Sequence, residues 1–145
     1  MRVIEVDGAP YGITVGPDDA LWFTMATQGR IGRYADGVVD TFTLDPADGQ
    51  PTVIVQGPDN ALWFTEFQGG RLGRITTHGE VTAIALESPY GLCAGPGGWW
   101  FTELQAGQVG RLTTDGEISR VAVDGMPSMI TPGPDSAVWF TVNQG

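Results

Sequence analysis

Several residue types are scarce in this chain, and each shortage removes a class of function. Cys93 is the only cysteine, so neither a disulfide framework nor a thiolate metal site is available. His78 is the only histidine, and it occupies the turn position that Asp36 and Asp115 hold in sister segments, immediately before glycine. That placement marks a turn residue on the outer part of its repeat, not a catalytic base. Seven basic residues stand against seventeen acidic ones, a net charge of −10, and the basic residues form no cluster. Nucleic acid and anionic membranes are therefore poor partners, because phosphate binding needs grouped Lys and Arg. No apolar run approaches the roughly 20 residues of a membrane span. Met1-Arg2-Val3-Ile4-Glu5-Val6 meets a charge and then a turn, unlike an export signal, so the cytoplasm is the expected compartment. Apolar spacings of three and four are missing as well, which removes paired-helix repeats.

What the chain does contain is one sentence written four times. Gly16-Pro17-Asp18 leads to Trp22-Phe23-Thr24, Gly57-Pro58-Asp59 to Trp63-Phe64-Thr65, Gly95-Pro96 to Trp100-Phe101-Thr102, and Gly133-Pro134-Asp135 to Trp139-Phe140-Thr141. The tryptophans Trp22, Trp63, Trp100 and Trp139 lie 41, 37 and 39 residues apart. Units of about 40 residues with four short strands each are propeller blades.

The second unit gives the plan. Val53-Ile54-Val55 is strand A; Gly57-Pro58-Asp59-Asn60 is a turn; Leu62-Trp63-Phe64-Thr65 is strand B, apolar on both faces and suited to burial between blades. Phe67-Gln68-Gly69-Gly70 turns into Arg71–Ile75, strand C, and His78-Gly79 turns into Val81–Leu86, strand D. Cys93 stands where strand A elsewhere has Thr14 and Thr131, as a small buried residue. The fold class expected is all-β, a propeller of four-stranded antiparallel blades with about 3.5 to 4 repeats. The repeats run over 10–50, 51–88, 89–126 and 127–145 within one domain.

Val6-Asp7-Gly8-Ala9-Pro10 echoes Val123-Asp124-Gly125-Met126-Pro127, so residues 1–6 read as an outer D strand that closes a ring. The order is then D, three complete ABCD blades, and A and B of a fourth, with Val142-Asn143-Gln144-Gly145 at the turn where strand C should begin. Propellers have four to eight blades, so either two chains assemble through these terminal strands as a homodimer or the chain is part of a longer protein.

Antiparallel A and B place the start of A beside the end of B on one rim. Tyr11, Thr52, Tyr90 and Ser128 precede A, and Met25, Glu66, Glu103 and Val142 follow Trp-Phe-Thr in B. These positions vary on a repeating scaffold, which is where a repeat protein places its contacts to a small molecule or peptide. Glu66 and Glu103, one blade apart, are candidate oxygen ligands for a hard cation such as Mg²⁺. The plainer reading pairs each with Arg71 or another strand-C arginine, and the plainer reading of Tyr11 and Tyr90 packs the ring and leaves the hydroxyl wet.

The repeated Pro-Tyr-Gly-Ile/Leu, Gly-Pro-Asp, Leu-Trp-Phe-Thr-Glu, Gly-Arg-Leu-Gly-Arg-Ile-Thr and Asp-Gly-Glu-Ile resemble the streptogramin B lyase, or virginiamycin B lyase, family over essentially the whole chain. Ala9-Pro10-Tyr11-Gly12-Ile13-Thr14 is similar to its first blade and Pro127-Ser128-Met129-Ile130-Thr131 to its fourth, so the resemblance is to its N-terminal half. The resemblance implies a seven-bladed propeller that linearises a cyclic depsipeptide antibiotic by elimination. In that reaction Mg²⁺ polarises the ester carbonyl, a histidine removes the threonine α-proton, and the ester oxygen leaves without addition of water.

The family's base belongs to a Glu-Pro-His-Gly-Ile motif in its last blade. The corresponding positions here read Ala9-Pro10-Tyr11, Gln50-Pro51-Thr52, Ser88-Pro89-Tyr90 and Met126-Pro127-Ser128, with no histidine. Glu66 and Glu103 match the blade position of the family's metal-binding glutamate but lie in other blades. No catalytic residue carries over. Two functions are expected from this point: a lyase-family sequence without its catalytic half, or a non-catalytic propeller module that binds a small molecule or cyclic peptide.

Overall fold

A computed structural model describes residues 1–143. Among them are fourteen strands and no helix, and so no helix long and apolar enough to cross a membrane. The first antiparallel sheet runs β1 (Pro10–Val15), β2 (Leu21–Met25), β3 (Arg30–Ala35) and β4 (Val38–Thr43) in order. The second is β5 (Pro51–Gln56), β6 (Ala61–Glu66), β7 (Arg71–Thr76) and β8 (Val81–Ala85), and the third is β9 (Pro89–Gly95), β10 (Gly98–Glu103), β11 (Gln108–Leu112) and β12 (Ile118–Ala122). A two-stranded sheet of β13 (Met126–Pro132) and β14 (Val138–Asn143) follows. These are three whole blades and the A and B strands of a fourth. Part of the turn expected over Val142–Gly145 lies outside the described residues.

Strands A of successive blades pack on one another, β1 on β5, β5 on β9 and β9 on β13, which makes A the innermost strand. The core lies between blades. Trp22, Ile31 and Leu44 of the first blade meet Ile54, Leu62, Phe64 and Ile75 of the second. Leu72 and Leu86 of the second meet Leu92, Trp99, Phe101 and Leu112 of the third. This is why strand B is apolar on both faces, while the D strands β8 and β12 are exposed along their length.

Each intact A-to-B turn is tied by its aspartate. Asp18 accepts from the Trp22 indole at 2.9 Å and from Arg33 at 2.8 Å; Asp59 accepts from Trp63 at 3.0 Å and from Arg74 at 2.8 Å. The residue after each aspartate, Asp19, Asn60 or Ser136, is left-handed, with φ of 62–63°. In the third blade the turn is one residue shorter and reads Pro96-Gly97-Gly98. Trp100 donates instead to the Pro96 carbonyl at 2.8 Å, and Arg111 Nε has no partner among the described residues.

The interface between blades has its own repeated bond, made by the threonine of Trp-Phe-Thr. The Thr24 hydroxyl accepts from Gly12 N at 2.8 Å and donates to the Thr52 carbonyl of the next blade at 2.7 Å. Thr102 accepts from Gly91 N at 2.8 Å and donates to the Ser128 carbonyl at 2.7 Å, and Thr65 donates to the Tyr90 carbonyl at 2.7 Å. Gly12 and Gly91 permit this approach, since a Cβ at either would collide with the next blade's carbonyl oxygen, that of Thr52 or Ser128.

One expected element is not formed. Residues 1–6 carry no strand. A D strand needs a C strand beside it, and among the described residues none lies beside this segment. Ile4 and Val6 instead line an apolar hollow with Ile13, Leu21, Phe23 and Tyr34, on the face of the first blade turned away from the second.

Two outcomes follow from these bonds. Thr102→Val should lower the unfolding free energy by about 1–3 kcal/mol, because the Ser128 carbonyl and Gly91 amide lose a buried partner, while Thr102→Ser should recover most of it in urea denaturation. Burial opposes ionisation of Asp18 and Asp59, but hydrogen bonds from their Trp and Arg partners outweigh it and hold both carboxyls below the ordinary 3.8. Their contribution is complete above that value and is lost as pH falls through the depressed folded values, so the melting temperature should drop steeply below about pH 4, less so in Asp18→Asn/Asp59→Asn.

Candidate functional site

The rim residues sit in β-bulges. Each A strand shifts register against its B strand between Pro10 and Ile13, Pro51 and Ile54, Pro89 and Leu92, and Pro127 and Ile130. Tyr11, Thr52, Tyr90 and Ser128 are therefore the first residues of bulges inside strand A, not loop residues before it. A bulge re-aims side chains that a regular ladder would alternate between faces. The threonine facing each bulge fixes it: Thr24 and Thr102 hold the second bulge residue's amide in their own blades. Thr24, Thr65 and Thr102 each hold the first bulge residue's carbonyl in the next.

Three of the four expected side chains meet in one hollow of about 250 Å³, lined by Tyr11, Gly12, Ile13, Thr52, Tyr90 and Met129 among others. The Tyr11 and Tyr90 hydroxyls are 3.0 Å apart, joining the first blade to the third in front of Thr52. The Thr52 hydroxyl bonds the Thr65 hydroxyl at 3.2 Å, and Phe67 packs edge-on against the Tyr90 ring with centroids 6.1 Å apart. The fourth, Ser128, is turned to the Thr141 hydroxyl at 2.8 Å, and Met129 takes its place on the hollow. The bond to Tyr11, with burial beside it, pushes the Tyr90 phenol above its ordinary value of 10, so at neutral pH it keeps its proton. Tyr11, 61% exposed, has an open face for a ligand.

The two glutamates do not join this hollow. Glu66 is buried, with its oxygens bonded to Arg71 Nε at 2.9 Å and Nη2 at 3.0 Å. Arg71 stands directly across from it in β7, the pairing that the strand-C reading allowed. Glu103 is fully buried: Oε1 accepts from Arg120 at 2.6 Å and Gln108 at 3.0 Å, and Oε2 from the Glu87 amide at 2.7 Å and Arg120 Nη2 at 3.3 Å. Its arginine comes from the D strand, because Gln108 fills the position where the second blade has Arg71. Both guanidinium pKa values are raised, first by these hydrogen bonds.

A magnesium ion does not fit this pair. Every carboxylate oxygen already accepts from an arginine, and among the described residues no three His, Cys, Asp or Glu side chains converge. The carboxylates clamp the rim loops instead: Arg71 reaches the Pro46 carbonyl at 3.5 Å, and Glu103 holds the Glu87 amide just ahead of Tyr90.

The remaining candidates lie elsewhere. His78 is in the C-to-D turn, where its amide bonds the Thr76 hydroxyl at 3.3 Å, at the end of the blade opposite the rim. Cys93 is buried in strand A opposite Trp100, and burial pushes its thiol up to about 11. The bridging threonines are the functional residues that a residue-type search overlooks; their signal was the invariant third letter of Trp-Phe-Thr.

The family model described as the virginiamycin B lyase family matches residues 1–145. A virginiamycin B lyase from Nocardia farcinica is 53% identical over 146 residues, covering 100% of this chain and 52% of that protein. A streptogramin B lyase structure superposes with a TM-score of 0.89 at 37% identity, covering 96% of this chain and 50% of that one. A catalytically inactive virginiamycin B lyase from Staphylococcus aureus with quinupristin gives 0.89 at 38% identity, covering 97% of this chain and 51% of that one. The chain thus spans about half the length of these relatives. A Xanthomonas campestris gluconolactonase, TM-score 0.79 at 19% identity, shares the fold alone.

The melting temperature should be equal in millimolar Mg²⁺ and in chelator. A Mg²⁺-dependent rise that disappears in Glu66→Gln/Glu103→Gln would return the pair to a metal role.

Proposed function

The chain belongs to the virginiamycin B lyase family, and from that premise we propose that it supplies a substrate-holding half of a streptogramin B lyase ring and performs no elimination by itself. The observation that carries this reading is the hollow itself, where the Tyr11 and Tyr90 hydroxyls meet at 3.0 Å beside Thr52 and, among the described residues, no His, Asp, Glu, Lys or Cys joins the lining. The phenol proton that the Tyr11–Tyr90 bond leaves free, with the lone pairs of the Tyr11, Tyr90 and Thr52 oxygens, offers hydrogen bonds to the amides of a cyclic depsipeptide, and the rings of Tyr11, Tyr90 and Phe67 with Met129 offer apolar contact to its side chains. This is equipment for orientation.

The elimination that the family resemblance implies requires a base at the threonine α-carbon and a divalent cation at the ester carbonyl. Magnesium, when bound, would withdraw charge from that carbonyl. The residues of this chain do not suit that task, since Glu66 and Glu103 are neutralised by Arg71 and Arg120, and His78 is at the far end of its blade. Lyase activity, and the antibiotic resistance it would confer, is accordingly proposed for an assembly that adds the missing base and metal ligands. By itself the chain acts as a non-catalytic binding module for the same class of ligand.

Tryptophan fluorescence titration with a streptogramin B depsipeptide should show saturable binding, weakened about tenfold in Tyr11→Phe/Tyr90→Phe, the loss of two ordinary hydrogen bonds at roughly 0.5–1.5 kcal/mol each. Reversed-phase chromatography should show no ring-opened isomer, with or without Mg²⁺. Ring opening by the purified chain, or no saturation by the depsipeptide, would overturn the proposal.

A further inference from the structure

We infer that the junction between the second and third blades holds a separate binding site, for a small neutral aromatic molecule that carries a carbonyl acceptor. The site is at the end of the blades opposite the rim, and both of its walls belong to complete four-stranded blades. It is independent of the ligand proposed for the rim.

The repeat itself shows what the space is shaped for. At the first junction, Phe42 of β4 stacks on Trp22, with ring centroids 5.8 Å apart and planes 13° from parallel. The same ring covers the C-to-D turn of the second blade so closely that a Cβ at Gly79 would meet it at 2.6 Å. Trp22 is fully buried there.

The next junction has the same parts but a different filling. Phe42 pairs with Ile31 and Ile84 with Leu72, so Ile84 of β8 is the counterpart of Phe42. Gly79 and Gly116 each donate to the carbonyl of a turn threonine, Thr76 and Thr113, and are counterparts in the same way. Isoleucine does not reach as far as phenylalanine. Nothing lies within 4 Å of the place a Gly116 Cβ would take, Ile84 is 38% exposed, and Trp63 is only half-buried. Trp99, where the second blade has Leu62, leans on Trp63 with centroids 4.3 Å apart and takes up part of the room. A hollow of about 590 Å³ remains, lined by Trp63, Arg74 and Ile84 from one blade and by Trp99, Leu112 and Ile118 from the other. Protein interiors are close-packed, so a space filled at one junction and open at the next is a property of that junction.

The lining sets the chemistry of the occupant. Two indoles favour a flat aromatic ring over a saturated one, because contacts between aromatic rings contribute beyond the area they bury. The polar end is Arg74. Its Nε is taken by Asp59 at 2.8 Å, and its terminal N–H groups have no acceptor among the described residues. Asp59 already neutralises that guanidinium and the chain carries a net charge of −10, so the group that fits is a neutral carbonyl, not a carboxylate. A mostly apolar hollow with one fixed polar group is the usual form of a small-molecule site.

Phenylacetamide is the probe, followed by two-dimensional NMR of the isotope-labelled chain. The indole N–H signals of Trp63 and Trp99 should shift saturably at millimolar concentration, while that of Trp22 stays in place. Cyclohexylacetamide, with the same amide on a saturated ring, should bind about fivefold more weakly, the weight of an aromatic contact beyond its area. Ile84→Phe, at an exposed position, copies the first junction into the second; it should raise the melting temperature and abolish the shifts. Absence of a saturable shift at Trp63 and Trp99 would overturn the inference, as would equal binding of the cyclohexyl compound or undiminished binding in Ile84→Phe.

Discussion

A buried threonine hydroxyl governs the inner part of this structure. In the first and third blades it accepts from a bulge amide of its own strand A, and in the first three it donates to the bulge carbonyl of the blade that follows. One atom therefore sets the bulge, the distance between blades and the direction of the side chain on the rim. The apolar faces of Trp22, Phe64 and Phe101 supply the bulk of the driving force, as apolar burial does generally, but that force has no direction. The directional bonds are what place Tyr11, Thr52 and Tyr90 around a common hollow.

The outer parts of the blades are held differently. Asp18 and Asp59 each join an indole to an arginine two strands away, so the turn, strand B and strand C move as one piece. The third blade shows what the arrangement costs to alter. With the aspartate gone, Trp100 falls back on a carbonyl and Arg111 Nε is left without a partner among the described residues, its guanidinium 5.6 Å from the Trp100 ring centroid; Trp99, where the first two blades have leucine, also has no partner for its Nε1 among them. Trp99 is compensated by its neighbour Trp63, with ring centroids 4.3 Å apart. The rings are tilted by 33°, and such aromatic contacts contribute beyond area burial while leaving the indole N–H itself unpaired.

The family relationship and the local chemistry point to different parts of the ring. Fold and ancestry are those of the virginiamycin B lyases over the whole chain. The rim that this chain contributes nevertheless gathers Tyr11, Thr52 and Tyr90 around one hollow, the feature from which binding is proposed. Its Glu66 and Glu103 carboxylates hold loops, and its Tyr11 and Tyr90 phenols bond one another. In a ring assembled from blades, recognition and bond-making can reside on opposite arcs, and half of the wall then keeps the scaffold without the reactive groups.

Blade number, strand order, apolar strand B and exposed strand D were all legible in the sequence, because each is a local pattern repeated every ~40 residues and a repeat is read from its own period. The rim was legible too, through variation at Tyr11, Thr52, Tyr90 and Ser128 against constant neighbours. Three things were not. The roles of Glu66 and Glu103 depended on whether Arg71 and Arg120 reach them, and Arg120 does so from 17 residues away across two strands. The bulges that aim the rim side chains arise from a register shift that no single strand reveals. Residues 1–6 have the sequence of a strand but, among the described residues, no neighbour to pair with, and a strand exists only as part of a sheet. The sequence by itself determined the repeat and hence the fold, since propensity and periodicity are local. Tertiary structure alone decided which polar groups were consumed in holding it together, since that depends on distances between blades.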